Sequence, residues 1–264
     1  MSDQVKYANK LHGARILIIG GSSGIGYGLA EACLEFGATV IISSSNPTRI
    51  NSAISALQSA YPSASTRITG HACNLADAQT LDANIVSLFA AATASGSEKL
   101  DHVVFTAGDA LAIKPLAEIT LEYIQQAGMV RFNAPLLVAR EAALALHKSS
   151  RSSYTITTGA VSQKPMPGWA VVGAYAGGHH TIARGLALDM RPVRVNTVSP
   201  GAVDTALWTM GEAEKKAMFE SYEKRLATGK VGRVEDVVES FLGALRDENC
   251  TGSVISTNGG ALIM

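Results

Sequence analysis

The stretch Gly20-Gly21-Ser22-Ser23-Gly24-Ile25-Gly26 holds the first residues whose types and spacing could do chemistry. Glycines let a backbone turn tightly and approach a ligand with no Cβ in the way, and free N–H groups at a helix start favour a phosphate. That chemistry needs a strand before the glycines and a helix after them. Ile16, Leu17, Ile18 and Ile19 run without polar interruption, as a strand buried on both faces does. Leu29, Ala32, Cys33 and Phe36 then recur at helical spacing until Gly37. Gly20, Ser22, Ser23, Gly24, Ile25 and Gly26 are therefore the expected cradle for a dinucleotide pyrophosphate.

The ribose end of such a ligand would meet the residues beyond the second strand, Thr39 to Ile42. An NAD-specific site places an Asp or Glu about 20 residues beyond the glycines, against the ribose 2′-hydroxyl. No acidic residue occurs between Val40 and Ile54. Ser44, Ser45 and Asn46 offer neutral hydrogen bonds instead, and Arg49 offers a cation for a 2′-phosphate. Arg49 on the solvated face of the helix after Pro47 is the alternative. NADP(H) is the cofactor this pattern implies.

These residues need a scaffold, and the apolar runs supply one. Further strands are expected at Thr66 to Cys73, His102 to Phe105, Tyr154 to Thr158, Arg194 to Pro200 and within Thr251 to Gly260. Helices are expected at Pro47 to Ala60, Asp77 to about Ala92, Ile119 to Lys148, Val171 to Asp189 and from Gly232 onward. Seven strands alternating with helices predict an α/β fold of Rossmann type: a doubly wound, parallel, seven-stranded sheet in a three-layer sandwich. No Pro-, Ser- or Gly-rich linker divides the 264 residues, so one domain over 1–264 is expected, with a polar helical segment at about 206–230. Lys+Arg and Asp+Glu are both 22, which gives no electrostatic case for nucleic acid or an anionic membrane surface. A small molecule is the expected partner, and no metal site is expected. The first thirteen residues carry Asp3, Lys6, Lys10 and His12 and no apolar core, and the three cysteines have no paired spacing. A reduced, cytoplasmic protein with no membrane span is the expectation.

The spacing GGSSGIG resembles the short-chain dehydrogenase/reductase family, whose usual wording is TGxxxGxG, with Ile19 where the Thr would stand. Later segments match in order, so the resemblance runs from Arg15 to Met264. It implies that Asn74 and Leu75 meet the adenine, and that Ala107 and Gly108, in Thr106-Ala107-Gly108, admit the cofactor. It also implies that Pro200, Gly201, Val203 and Thr205 hold the nicotinamide end, and that the segment at about 206–230 is a substrate lid. Family members reduce a carbonyl while a Tyr gives the proton, aided by a Lys four residues on and a Ser one strand away. Here the Tyr is Tyr175, but the Lys position is His179. The Ser position falls near Thr158, with Ser162 reached by a different count. Asn133 stands where an Asn kinks the long helix and holds a water near the Lys, and Arg131 lies two residues earlier. Arg131 is either a surface or interface residue or a part of the chemistry. The resemblance further implies a homodimer or homotetramer.

Three functional readings are open. One is an NADP(H)-dependent reductase of a carbonyl or of an imine or iminium ion, in secondary metabolism, with a modified proton-transfer set. Another is a bifunctional reductase and cyclase, similar to divergent fungal short-chain proteins of bicyclic indole-alkaloid pathways that also steer a [4+2] cycloaddition. Arg131 is similar in placement to an Arg of that branch, whereas Met166 stands where the branch carries an acid. The last is a non-catalytic NADP(H)-binding protein.

Overall fold

The computed structural model describes residues 5–264, so Asp3 lies outside the described residues. The strands are β1 (Arg15–Ile19), β2 (Thr39–Ser44), β3 (Ile68–Ala72), β4 (His102–Phe105), β5 (Ser153–Thr157), β6 (Arg194–Pro200) and β7 (Val254–Thr257), of which β1, β2 and β4 carry the continuous apolar runs at the centre of the sheet. All pair in parallel in the order β3-β2-β1-β4-β5-β6-β7. The strand order reverses between β1 and β4, and a crevice at such a switch point is where doubly wound sheets take ligands.

Alternate residues of β1 serve opposite faces of the sheet. Leu17 and Ile19 join a core with Leu88 of α3 (Leu81–Ala92), Val138 of α5 (Ala134–Ala145) and Ala183 of α6 (Ala170–Asp189). Ile16 and Ile18 join a second core with Cys33 of α1 (Gly24–Glu35), Leu57 of α2 (Pro47–Ala60) and Phe241 of α8 (Val234–Arg246). Two helical layers thus clamp the sheet. Asp236 accepts from the Arg233 N–H at 3.3 Å and caps the start of α8. A further helix, α7 (Glu212–Glu223), lies within the expected lid and has no buried residue.

The segment expected as one helix from Ile119 to Lys148 is broken. It consists of α4 (Leu121–Gly128), a π turn at Met129–Asn133, and α5. Pro135 explains the break locally, since it has no N–H to give to the carbonyl of Arg131, its i−4 partner in an α-helix. Within the turn the Ala134 N–H reaches back five residues to Met129 O. The third strand begins at Ile68 rather than Thr66, because Pro62–Arg67 coils into a short 3-10 segment. Leu81, not Asp77, opens α3, because the Asp77 carboxylate is turned onto the Gln79 N–H and the Thr80 hydroxyl.

Candidate active site

A cleft of about 770 Å³ opens over the carboxyl ends of the strands. Every expected cofactor contact except Asn46 lines it: Gly20, Ser22, Ser23, Gly24, Ile25, Gly26, Ser44, Ser45, Arg49, Asn74, Leu75, Ala107, Gly108, Pro200, Gly201, Val203 and Thr205. Asn46 stands just outside this lining, and its Oδ1 accepts from the Arg49 N–H at 3.1 Å and caps α2. The cleft fits a dinucleotide on geometric grounds. Gly20 has φ +96°, and a Cβ there would lie 2.5 Å from the Ala107 backbone N, so only glycine lets the two loops meet beneath the ligand. Thr106 donates its hydroxyl to Ile19 O at 3.1 Å and ties β4 to β1 at this point. Asn74 spends its Oδ1 on the Ala76 N–H, which leaves its NH₂ for an adenine edge.

The residues expected to move a proton are arranged differently from the expectation. Tyr175 lies in the cleft wall, but its hydroxyl donates to the Ile124 carbonyl of α4 at 2.8 Å. Gly128 permits this approach, since a Cβ there would lie 2.6 Å from Tyr175 Cζ. The Phe132 ring, 5.2 Å away, backs the Tyr175 ring. Thr158 also lines the cleft, yet its hydroxyl donates to the Ala176 carbonyl at 2.7 Å. Ser162 is outside the cleft and paired with His180 Nε2 at 2.9 Å. Asn133 is likewise outside the cleft, with an exposed side chain directed at Met129 Sδ. The carbonyl that the π turn presents to the site belongs to Arg131, because Arg131 is the residue whose helical donor Pro135 removes.

His179 is buried, with Nε2 2.6 Å from Arg131 O. A carbonyl brings no proton, so Nε2 carries one and donates. Nδ1 makes no well-aligned hydrogen bond among the described residues, and the Thr157 backbone is the second backbone group that meets the ring. Burial pushes the His179 pKa down to about 4, opposed by the Arg131 carbonyl and helped by the Arg131 charge. The ring is neutral at pH 7, so it cannot stand in for the ammonium of the family's Lys.

Arg131 is neither at the surface nor free. Its Nε lies 2.9 Å from Asp109 Oδ1, and its Nη2 donates to the Asp109 carbonyl. The guanidinium lies over Gly108 at the cleft floor. Burial lowers the Arg131 pKa, and the Asp109 carboxylate partly restores it. Around this pair Leu111, Met166, Trp169, Val172, Leu207 and Trp208 form an apolar chamber. Trp208 donates its indole N–H to Val203 O at 2.9 Å and packs edge-on to Phe219 of α7. Lys215 of α7 meets Asp204 at 2.5 Å. Asp109, Trp169 and Trp208 escape the sequence reading. Asp109 has a signal in the chain, its place directly after Gly108, whereas the two tryptophans have none.

An SDR-like Rossmann domain model matches residues 7–264. Short-chain dehydrogenase/reductase fsr5 of Gibberella fujikuroi is 44% identical over 268 residues, covering 100% of both chains. The solved structure of the MalC Reductase/Diels-Alderase from Malbranchea aurantiaca superposes with TM-score 0.91 at 39% identity, covering 98% of this chain and 100% of that one. An NADPH-bound short-chain oxidoreductase of Pseudomonas aeruginosa with an atypical catalytic centre shares the fold at TM-score 0.82 and 22% identity, over 94% and 98% of the two chains. No helix among the described residues is long and apolar enough to cross a membrane. A parallel sheet with a glycine turn at its switch point, matched over nearly the whole chain, makes this protein a member of the short-chain dehydrogenase/reductase family of oxidoreductases.

Proposed function

We propose that the protein is an NADP(H)-dependent reductase whose preferred substrate is a cyclic imine in its protonated, iminium form, carried on an apolar ring system. The observation that carries this reading is that both hydroxyls facing the nicotinamide end, those of Tyr175 and Thr158, donate their protons to backbone carbonyls. The nicotinamide, when bound, supplies a hydride. A ketone that accepts hydride becomes an alkoxide and calls for a proton, which neither hydroxyl is placed to give. An iminium carbon that accepts hydride becomes a neutral amine and calls for none. Asp109 supplies a carboxylate to face the cation, and Trp169 and Trp208 supply aromatic walls for the ring system. The segment 206–230 closes over the chamber as its lid, through Trp208 and Tyr222. Leu144 on α5 and Leu188 on α6, 68% and 63% exposed, support a homodimer or homotetramer. We place the chain in secondary metabolism, as a reduced cytoplasmic enzyme.

The test is NADPH consumption by the full chain against matched ketones and cyclic imines, after calorimetry with NADPH and NADH. Turnover of imines alone supports the reading, and turnover of ketones at equal rates sinks it. Tight binding without turnover favours the non-catalytic alternative. Two single changes sharpen the test. Tyr175→Phe is expected to keep imine turnover within about threefold, because it removes a proton that the reaction does not use. A loss of a hundredfold or more would restore Tyr175 as the proton donor. Arg49→Ala is expected to weaken NADPH binding about tenfold while leaving NADH within twofold, as removal of a 2′-phosphate contact does. Equal loss for both cofactors would place Arg49 on the solvated face alone.

A second reading, a bifunctional reductase and cyclase, is favoured by one observation: the Arg131–Asp109 pair shares its part of the cleft with Leu111, Met166, Trp169, Val172, Leu207 and Trp208. Such a chamber folds a flexible substrate and polarises one end of it, and the structural neighbour from Malbranchea aurantiaca is a Reductase/Diels-Alderase. Chiral analysis of the product distinguishes the two, since a racemic cycloadduct, identical with and without protein, removes the cyclase role.

A further inference from the structure

We propose that His179 is a positioning residue for Arg131: its Nε2–H replaces the helical donor that Pro135 lacks, fixes the π turn, and thereby aims the Arg131 guanidinium at Asp109. This rests on the reading that the Arg131–Asp109 pair works at the substrate.

Donors and acceptors must balance in the turn. In a continuous helix the Arg131 carbonyl would take the N–H of residue 135, and a proline there has none. A buried carbonyl left alone costs about 1–3 kcal/mol, so the fold must find it a donor or lose the turn. His179, one element away on α6, supplies that donor at 2.6 Å. Arg131 therefore has its backbone held by α6 and its side chain held by Asp109. It has no freedom to swing out of the cleft while both ends are fixed. A lysine at 179 would reach past this carbonyl and carry a charge beside the guanidinium. The imidazole ends at the right distance and is neutral, because burial and the Arg131 charge both hold its pKa down. The chain thus exchanges a cation that would grip a ligand for a neutral donor that grips its own backbone.

The two ring nitrogens give the test its resolution. A glutamine amide reaches the place of Nε2, and an asparagine amide reaches only that of Nδ1. In the full chain, His179→Gln is expected to keep imine turnover within about threefold of wild type. His179→Asn and His179→Leu are expected to lose about tenfold or more in kcat, with NADPH affinity in all three variants within about threefold. Melting temperature is followed throughout, and His179→Gln is the variant that stays informative if His179→Leu does not fold. The reverse order, with Asn active and Gln inactive, makes Nδ1 the working atom and overturns the proposal. A loss of NADPH affinity in all three variants makes His179 a cofactor ligand and also overturns it.

A second readout does not need turnover. The ¹⁵N resonance of Arg131 Nε, assigned by its disappearance in Arg131→Lys, is expected to be unchanged in His179→Gln and displaced in His179→Asn. If no substrate is turned over but this pattern holds, the functional reading fails and the positioning role stands. If turnover is present and the resonance ignores residue 179, the positioning role fails alone.

Discussion

Arg131→Ala is expected to lower imine turnover by about a hundredfold, with NADPH affinity changed by less than threefold. Two consequences of the deletion act together. Asp109 loses the partner that holds its carboxylate at 2.9 Å in a cleft lined by tryptophan and leucine, and the carboxylate that faces the proposed cationic substrate is no longer fixed in place. The side chains are 20% and 39% exposed, so water screens part of the loss, and the cost in folding stability is about 1–2 kcal/mol rather than the larger figure of a fully buried pair. A fall in kcat with intact NADPH binding and a small drop in melting temperature is therefore the expected signature. Stopped-turnover and calorimetric measurements on the same preparation check it. Unchanged kcat would return Arg131 to a purely structural role.

Acid is expected to weaken the fold steeply between about pH 6.5 and pH 3, with the weakening already under way above the range in which the carboxylates as a class are protonated. His102 on β4 is fully enclosed, with Nδ1 2.8 Å from Ser153 Oγ. Burial, followed by the charges of Arg194 and Arg151, pushes its pKa down to about 3. His179 is pushed down to about 4. An unfolded histidine titrates near 6.5, so over this window the unfolded chain takes up protons that the folded chain refuses. The unfolded state binds more protons, stability therefore rises with pH, and the full contribution is present above about 6.5. It is lost as pH falls toward the two folded values. At 1.36 kcal/mol per pKa unit the loss is about 5 kcal/mol for His102 and about 3 kcal/mol for His179, against a total of about 5–15 kcal/mol for an ordinary domain. Urea unfolding at pH 7, 5.5 and 4 checks the slope. His102→Asn, which keeps a polar atom near Ser153, is expected to remove about one proton from it. A flat profile from pH 7 to pH 4 contradicts the neutral burial of both rings.

The sheet and the glycine turn at its switch point are readable in the chain because their causes are local. Ile16 to Ile19 cannot be exposed, the glycines beside them cannot be helical interior, and nothing acidic comes after β2 before Ile54. Asn46 stands outside the cleft lining for a local reason as well: its Oδ1 is taken by the Arg49 N–H three residues on, which caps α2. The proton-handling residues are a harder problem. Tyr175 and Thr158 occupy the cleft as expected, but where a hydroxyl points depends on a carbonyl supplied by another element. Gly128 is what lets the Tyr175 ring approach α4, and the two residues are far apart in the chain. The Arg131 carbonyl displaces Asn133 for the same reason: side-chain types are written in a sequence, while the backbone atoms left free by a proline are written only by implication.

The π turn has a meaning in angles as well as in hydrogen bonds. A residue inserted into an α-helix rotates everything beyond it by about 100°. Met129–Asn133 places such an offset between α4 and α5, so the two helices keep independent phase along what is otherwise one rod. The face of α5 answers to the sheet through Ala134, Val138 and Ala142, while the face of α4 answers to the cleft through Ile124 and Gly128. Deleting a single residue from the turn would bring the rod back into phase and carry Ile124 about a quarter of a circle away from Tyr175. The site is in this sense set by a dial with one notch, and the length of the chain between Gly128 and Ala134 is the notch.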